Sequence, residues 1–327
     1  MTRTLATTLL LLGCVLLWVG CGGDDETSST TTAPAAQSPL QNGLIVYGAE
    51  QENSPTQLFT IKPDGTGATK LPTATDGEAA NPDWSPDGTQ LVYEFGNDDG
   101  AGVLISAADG SGARNLTPKG FQGQPSFSPD GRSIVFERDL GPGDNGIHLM
   151  DSDGSNVRRL TRNPFPQPDS CGCDTDPNFS PDGKTITFVR IKKEEAEQAL
   201  FAVNVDGENL RRLTPYSYDV AIKHTWSPDG RRIAMTINAD PAPGESANVV
   251  TISPDGKDLQ RLTTFEGGGG AFVGSYSPDG RQVVMRIEDK DGETHSLATI
   301  SSDGGATREL MSGKVRPRFI DWGSSTG

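Results

Sequence analysis

Apolar and polar residues alternate in short runs along most of the chain. Leu91 and Tyr93 stand two apart, and the pair recurs as Ile134 and Phe136, Ile186 and Phe188, Ile233 and Met235, and Val283 and Met285. A period of two places alternate side chains on one face of an extended segment, so each run predicts a β-strand. Ahead of each run lies an aromatic-Ser-Pro-Asp-Gly stretch, starting at Trp84, Phe127, Phe179, Trp226 and Tyr276. Proline presets φ for a turn, and Asp and Gly complete a tight reversal. The aromatic residue closes an incoming strand, so the stretch predicts a hairpin.

A second repeat lies between copies of the first. It reads TIKPDGTGATKLPT, ISAADGSGARNLTP, LMDSDGSNVRRLTR, VNVDGENLRRLTP, TISPDGKDLQRLTT and TISSDGGATRELMS. Its aspartates are Asp64, Asp109, Asp153, Asp206, Asp255 and Asp303, with Leu71, Leu116, Leu160, Leu213, Leu262 and Leu310 on the return strands. Asp-Gly between two apolar runs is again a hairpin signal. One unit is therefore two hairpins, or four strands.

The aromatic positions are 43, 52, 47 and 50 residues apart, and Phe319 in RPRFIDW lies 43 beyond Tyr276. This is the spacing of a four-stranded propeller blade. Six second hairpins give six blades. The first unit, at LIVYGAE, lacks an innermost strand, and VRPRFIDW is a spare one. The expected fold is all-β: a six-bladed β-propeller of four-stranded antiparallel blades over residues 42–322, closed by the C-terminal strand joining the N-terminal blade, with 323–327 as a flexible tail. Closure leaves no open sheet edge between first and last blades.

The N-terminus has a different pattern. Arg3 precedes an apolar run from about Leu9 to Val19, too short for a membrane span of about 20 residues and suited to a secretory signal peptide. Val19-Gly20-Cys21 resembles a bacterial lipobox, which implies residues 1–20 as a signal peptide and lipidation at Cys21. An ordinary signal peptide or a short anchor helix is the alternative. Residues 21–41 are rich in Gly, Asp, Ser, Thr, Ala and Pro. They lack the apolar side chains that offset the cost of ordering a chain, and are expected to form a disordered tether.

The net charge is −16 with no cluster of Lys and Arg, which leaves no footprint for nucleic acid. The balance favours basic proteins, cations or neutral ligands.

The aromatic-Ser-Pro-Asp-Gly hairpins followed by DG…RRLT resemble the TolB-type propeller repeat. The propeller domain of dipeptidyl-peptidase-like serine peptidases is similar. The resemblance covers about residues 42–322. It is specific for the propeller fold and weak for function; TolB-type proteins include the periplasmic propeller of the Tol–Pal system.

Chemistry-bearing residues are few. GSSTG around Ser325 matches Gly-x-Ser-x-Gly, but a nucleophile elbow needs a strand before it and a helix after it. His148, His224 and His295 fall in different blades without metal-ligand spacing. His224 precedes an incoming strand and is placed to face the central channel. Cys171 and Cys173 form CGC in a long loop. In an oxidising compartment they make a strained disulfide, or bind a metal with Asp174 and Asp176, or do neither. The Asp-Gly turns resemble fragments of a calcium loop but lack its remaining ligands. On the loop face, Phe165, Tyr216, Tyr218 and Phe265, ringed by acidic middle loops, are candidates for partner binding.

The function expected is a non-catalytic binding or scaffolding propeller, exported, anchored to the membrane through Cys21, and facing the periplasm or the extracellular side. It would be monomeric and engage an envelope protein or cell-wall component without a cofactor. The alternatives are a propeller enzyme, a glycan lyase or hydrolase with its site in the channel, and an extracytoplasmic ligand sensor.

Overall fold

The computed structural model describes residues 41–51, 54–73, 77–97, 100–117, 120–139, 145–164, 174–192, 197–238 and 245–325. The expected signal peptide, Cys21 and nearly all of the tether lie outside them. So do Phe165, Cys171 and Cys173. No described helix is long and apolar enough to cross a membrane.

The strands form six four-stranded antiparallel sheets. From the innermost strand outward, blade 2 holds Glu78–Trp84, Gln90–Asn97, Gly100–Ala107 and Arg114–Asn115. Blade 3 starts at Phe121–Phe127, blade 4 at Asp174–Phe179, blade 5 at His224–Trp226 and blade 6 at Gly270–Tyr276. Blade 1 is built from both ends of the propeller: Arg316–Ser325 is innermost, followed by Gln41–Gln51, Ser54–Ile61 and Thr69–Lys70. Each innermost strand touches the next, around a closed ring. The protein is a six-bladed β-propeller closed as its repeats predict. The closing strand runs further than expected. Ser324 pairs with Asn42 and Ser325 with Gln41, so residues 323–325 are strand rather than tail.

The repeated motifs form the turns and edges. In the first Ser-Pro-Asp-Gly copy, Ser85 Oγ donates to Asp87 Oδ1 at 2.6 Å and accepts from Gln90 N at 2.9 Å, while Gly88 adopts φ +68°. The Ser–Asp bond recurs at 2.6 Å in the other four copies. In the second repeat the leucine is buried and the threonine after it substitutes for a backbone acceptor. Thr117, Thr161, Thr214 and Thr263 each accept through Oγ1 from a backbone N–H of the third strand. Five of the six Asp-Gly aspartates cap a backbone N–H two residues on, the ordinary chemistry of an Asx turn.

The core is divided among six wedges, each filling the interface between neighbouring blades. Between blades 3 and 4, for example, Ile147 and Leu160 meet Phe179 and Phe188. Each large apolar side chain fully buried there contributes about 1.5–3 kcal/mol. With the wedges holding the blades together, the channel walls are free to carry polar groups.

Candidate binding site at the channel mouth

The innermost strands bulge before they reach the aromatic residue. Three positions ahead of it, Asn81, Gln124, Asp176 and Phe319 have φ between +48° and +51°. This backbone conformation is uncommon outside glycine, and for a bulky residue such as Phe319 it is an outlier. Strain of this kind must be held by its surroundings. Asn81 Nδ2 donates to Glu94 Oε2 at 2.8 Å, and Gln124 Oε1 accepts from Asp176 N in the next blade. Asp176 Oδ2 in turn accepts from His224 N at 3.0 Å.

Just before the aromatic position, side chains tie neighbouring blades together. Asp83 Oδ2 accepts from Phe127 N at 2.8 Å, Asp321 Oδ2 from Trp84 N at 3.0 Å, and Ser275 Oγ from Trp322 N at 2.7 Å. The six aromatics, Trp84, Phe127, Phe179, Trp226, Tyr276 and Trp322, line the channel opening on the Ser-Pro-Asp-Gly side.

A cluster of charges lies within the channel. Lys223 is half-buried among Asp176, Asp83 and Asp321. Burial alone would lower its pKa, but the three carboxylates outweigh it and raise the value. Lys223 is therefore a fixed cation rather than a nucleophile. Burial and the nearby Asp321 hold Asp83 well above the usual carboxylate range.

At the opposite opening, on the loop face, lies a cavity of about 260 Å³. Its floor includes Lys223 and Asp176, and one wall is formed by Arg286, Arg316 and Arg318. Phe272, Phe319, Ile320 and Ile222 supply apolar surface. The Arg286 guanidinium lies 4.0 Å over the Phe272 ring, and that of Arg318 lies 4.6 Å over Phe319. Glu288 lies 3.6 Å from Arg286 and 3.3 Å from Arg316, and Glu50 pairs with Arg316 and Arg318. Burial and the neighbouring Arg316 lower the Arg286 pKa to about 9, so it remains charged at neutral pH. Thr236 provides the one hydroxyl among the described lining residues, and its Oγ1 accepts from Val273 N at 2.9 Å.

The channel is polarised. Where blade 6 has Arg286, the same repeat position holds Glu94 in blade 2 and Glu137 in blade 3. Burial raises the pKa of both, that of Glu137 to about 8.

The model of the TolB beta propeller domain family matches residues 82–326. The chain belongs to the TolB β-propeller family. It is 30% identical over 234 residues to the Tol-Pal system protein TolB of Francisella tularensis subsp. mediasiatica, covering 59% of this chain and 53% of that protein. It is 31% identical over 142 residues to dipeptidyl-peptidase 5 of Porphyromonas endodontalis, covering 42% of this chain and 19% of the relative. It thus spans about half, or less, of these relatives. Among solved structures, TolB from Acinetobacter baumannii superposes with a TM-score of 0.70 at 23% identity, covering 86% of this chain and 66% of that one; this likeness is one of fold.

The described candidates of the loop face and channel, Tyr216, Tyr218, His224 and Phe265, do not line this cavity. His224 is fully buried between blades 4 and 5, with Nε2 2.8 Å from Thr187 Oγ1 and Nδ1 2.9 Å from Asp176 Oδ2. Tyr216 and Tyr218 form a 3-10 turn leading into blade 5. Lys192 Nζ lies 4.1 Å over the half-buried Tyr216 ring, while Tyr218 packs on the wedge between blades 4 and 5. Phe265 packs between blades 5 and 6, and its backbone is held at both ends by Asn248. Asp174 forms a buried bidentate pair with Arg190, at 2.6 and 2.7 Å. No group of three or more His, Cys, Asp and Glu among the described residues is placed to hold a metal.

Sequence reasoning did not identify Lys223, Asp83, Asp321 or the three arginines. The signal lay in the repeat itself: PDW and IDW put an acid where other units have Ser, Asn or Thr. RPRFIDW carries two of the arginines, and Trp322 rather than Phe319 holds its aromatic position, Phe319 falling at the bulge.

Proposed function

We propose that this TolB-type propeller is a non-catalytic binding or scaffolding module of the cell envelope, lipid-anchored through Cys21, that engages its partner through the loop face. The observation carrying this reading is the cavity on that face, where fixed cations and apolar walls meet above the Lys223 floor. Groups of this kind position a ligand. A raised lysine pKa and an engaged threonine hydroxyl supply neither a free nucleophile nor a base. Kinship with TolB of the Tol-Pal system supports an envelope role.

A photo-crosslinking residue at Ile222, which is exposed beside the cavity, should trap a discrete envelope component in intact cells. The same residue at Asp130, in a turn on the other side, should not. Turnover of a substrate by the purified chain, or equal labelling from both positions, would overturn the reading. Anchoring has a separate test: Cys21→Ser should move the protein from the membrane to the soluble fraction.

A further inference from the structure

We propose that the arginine wall of the loop-face cavity is a binding site for a small organic oxyanion, recognised through its carboxylate or phosphate group. This rests on reading the cavity as the binding site, and it specifies the chemistry of the ligand.

Arg286 is the key residue. Its side chain is 8% exposed and lines the cavity. Its Nε has no hydrogen-bond partner among the described residues. Its one ion-pair partner among the described residues, Glu288, stands 3.6 Å away and is shared with Arg316 and His295, while Glu50 acts on it from further off. A guanidinium carries five N–H donors in a fixed plane. Phe272 occupies one face of that plane at 4.0 Å, which leaves the donor edge for an acceptor. Buried polar groups in folded proteins are nearly always hydrogen-bonded, so an under-bonded buried guanidinium calls for an explanation.

Arg316 repeats the pattern, with a buried Nε that also lacks a partner. Gln198, on the blade 4 side of the cavity, has an unpartnered Oε1. The cavity therefore presents unused donors from two adjacent arginines. Both belong to the planar fork that matches carboxylate and phosphate oxygens. Glu50 and Glu288 do not line the cavity. They neutralise part of the charge and hold the arginines in place.

The setting makes this cluster costly unless it has a use. The chain as a whole carries −16, yet four of its cations converge on one small cavity. Crowding among them is felt at Arg286, where Arg316 and Arg318 both depress the pKa. An oxyanion would relieve that repulsion and satisfy the donors together. The volume of about 260 Å³ lies below the roughly 300–1,000 Å³ of sites for drug-sized ligands. The ligand is thus small, with an apolar portion to lie against Phe319 and Ile320. At physiological ionic strength, screening over about 8 Å shields the cavity from most of the acidic surface.

The experiment is isothermal titration of the full chain at low ionic strength with succinate, citrate and inorganic phosphate, with succinamide as the uncharged control. One or more of the anions should bind with one-to-one stoichiometry, and succinamide should not. Tighter binding of succinate or citrate identifies a carboxylate ligand, and tighter binding of phosphate a phosphorylated one. Arg316→Gln, at a half-exposed position, and Arg286→Lys should each weaken binding about tenfold or more, the loss expected from one charge-assisted hydrogen bond. Arg231→Gln, in an exposed turn, should leave it unchanged. Melting curves establish that each variant is folded. No binding by any anion, or unchanged affinity in a folded Arg316→Gln, would overturn the inference. Anion binding without a crosslink from Ile222 would remove the partner reading alone.

Discussion

Glu137 Oε2 lies 2.6 Å from the hydroxyl of Thr175 in the neighbouring blade, and the same hydroxyl lies 2.6 Å from Gln124 Oε1. A hydroxyl has one proton to donate, and the amide oxygen can only accept. Both contacts are satisfied together if Glu137 is protonated: the carboxyl donates to Thr175, which donates to Gln124. Burial raises the Glu137 pKa from 4.5 to about 8, with Glu94, Asp139 and Asp174 adding to the shift.

The consequence for stability has a definite sign. The unfolded chain releases this proton near pH 4.5, and the folded chain holds it until about pH 8. Between those values the folded state binds more protons, so the Glu137 contribution falls as pH rises and levels off above pH 8. The slope from one such proton is at most about 1.4 kcal/mol per pH unit. Urea titrations at several pH values should show Glu137→Gln gaining on the parent chain as pH rises from 5 to 8. A constant difference would mean that the carboxyl is already ionised in the fold.

Asp174 and Arg190 make a different kind of prediction. The carboxylate is fully buried, bidentate with Arg190, and also bonded to Thr161 at 2.7 Å and Asn163 at 3.1 Å. The guanidinium lies against the rings of Phe188 and Phe201, at 5.4 and 4.8 Å. Removing one partner leaves a buried charge, so Asp174→Asn should cost about 3–5 kcal/mol. Asp174→Asn combined with Arg190→Met should recover much of that loss, because apolar replacement of a buried pair is often neutral. A double mutant as unstable as Asp174→Asn alone would show that the pair does more than satisfy itself.

The Ser-Pro-Asp-Gly turns should behave as equivalent, separate units. Ser227 is buried, bonds Asp229, and accepts from Arg232 N at 2.9 Å. Ser227→Ala should cost about 1 kcal/mol, as should Ser128→Ala. The two should add in the double mutant because the turns share no partner. Thermal unfolding of the three variants measures this, and strong non-additivity would show that the turns are coupled.

The fold could be read from the sequence and the site could not, for a physical reason. Turn and strand signals are local: proline, Asp-Gly and period-two alternation act within a few residues, and six repetitions remove most ambiguity. The site arises where the units depart from one another and then meet across the ring. Arg286 and Arg316 are 30 positions apart in the chain yet line one cavity, and Lys223 meets aspartates from three other blades. Nothing in the local pattern around RPRFIDW marks its arginines as facing Arg286. Aromatic residues are ambiguous for the complementary reason. Tyr218 and Phe265 have the composition of a binding face, but six separate wedges need apolar side chains at blade borders, and both pack there.

The closure of the ring offers the most stringent test of the architecture. Gly323 lies in the closing strand against Trp84, and a Cβ at Gly323 would sit 2.6 Å from the Trp84 ring. Trp84 cannot easily withdraw, since its backbone N–H donates to Asp321 Oδ2 at 3.0 Å and its ring fills the wedge between blades 1 and 2. Trp322, next in the strand, donates from its backbone to Ser275 Oγ and from its indole to Gly43 O at 3.2 Å. Gly323→Ala should therefore strain the seam and cost about 1–3 kcal/mol, as overpacking does. Gly96→Ala is the control: it also lies in a strand, and its new Cβ would meet nothing closer than 3.7 Å. It should change stability little. The seam joins the two ends of the propeller, so Gly323→Ala should also increase amide exchange in Gln41–Gln51, the strand paired with it, before it affects blade 4. Exchange that rises evenly around the ring would show that closure is no weaker than any other interface.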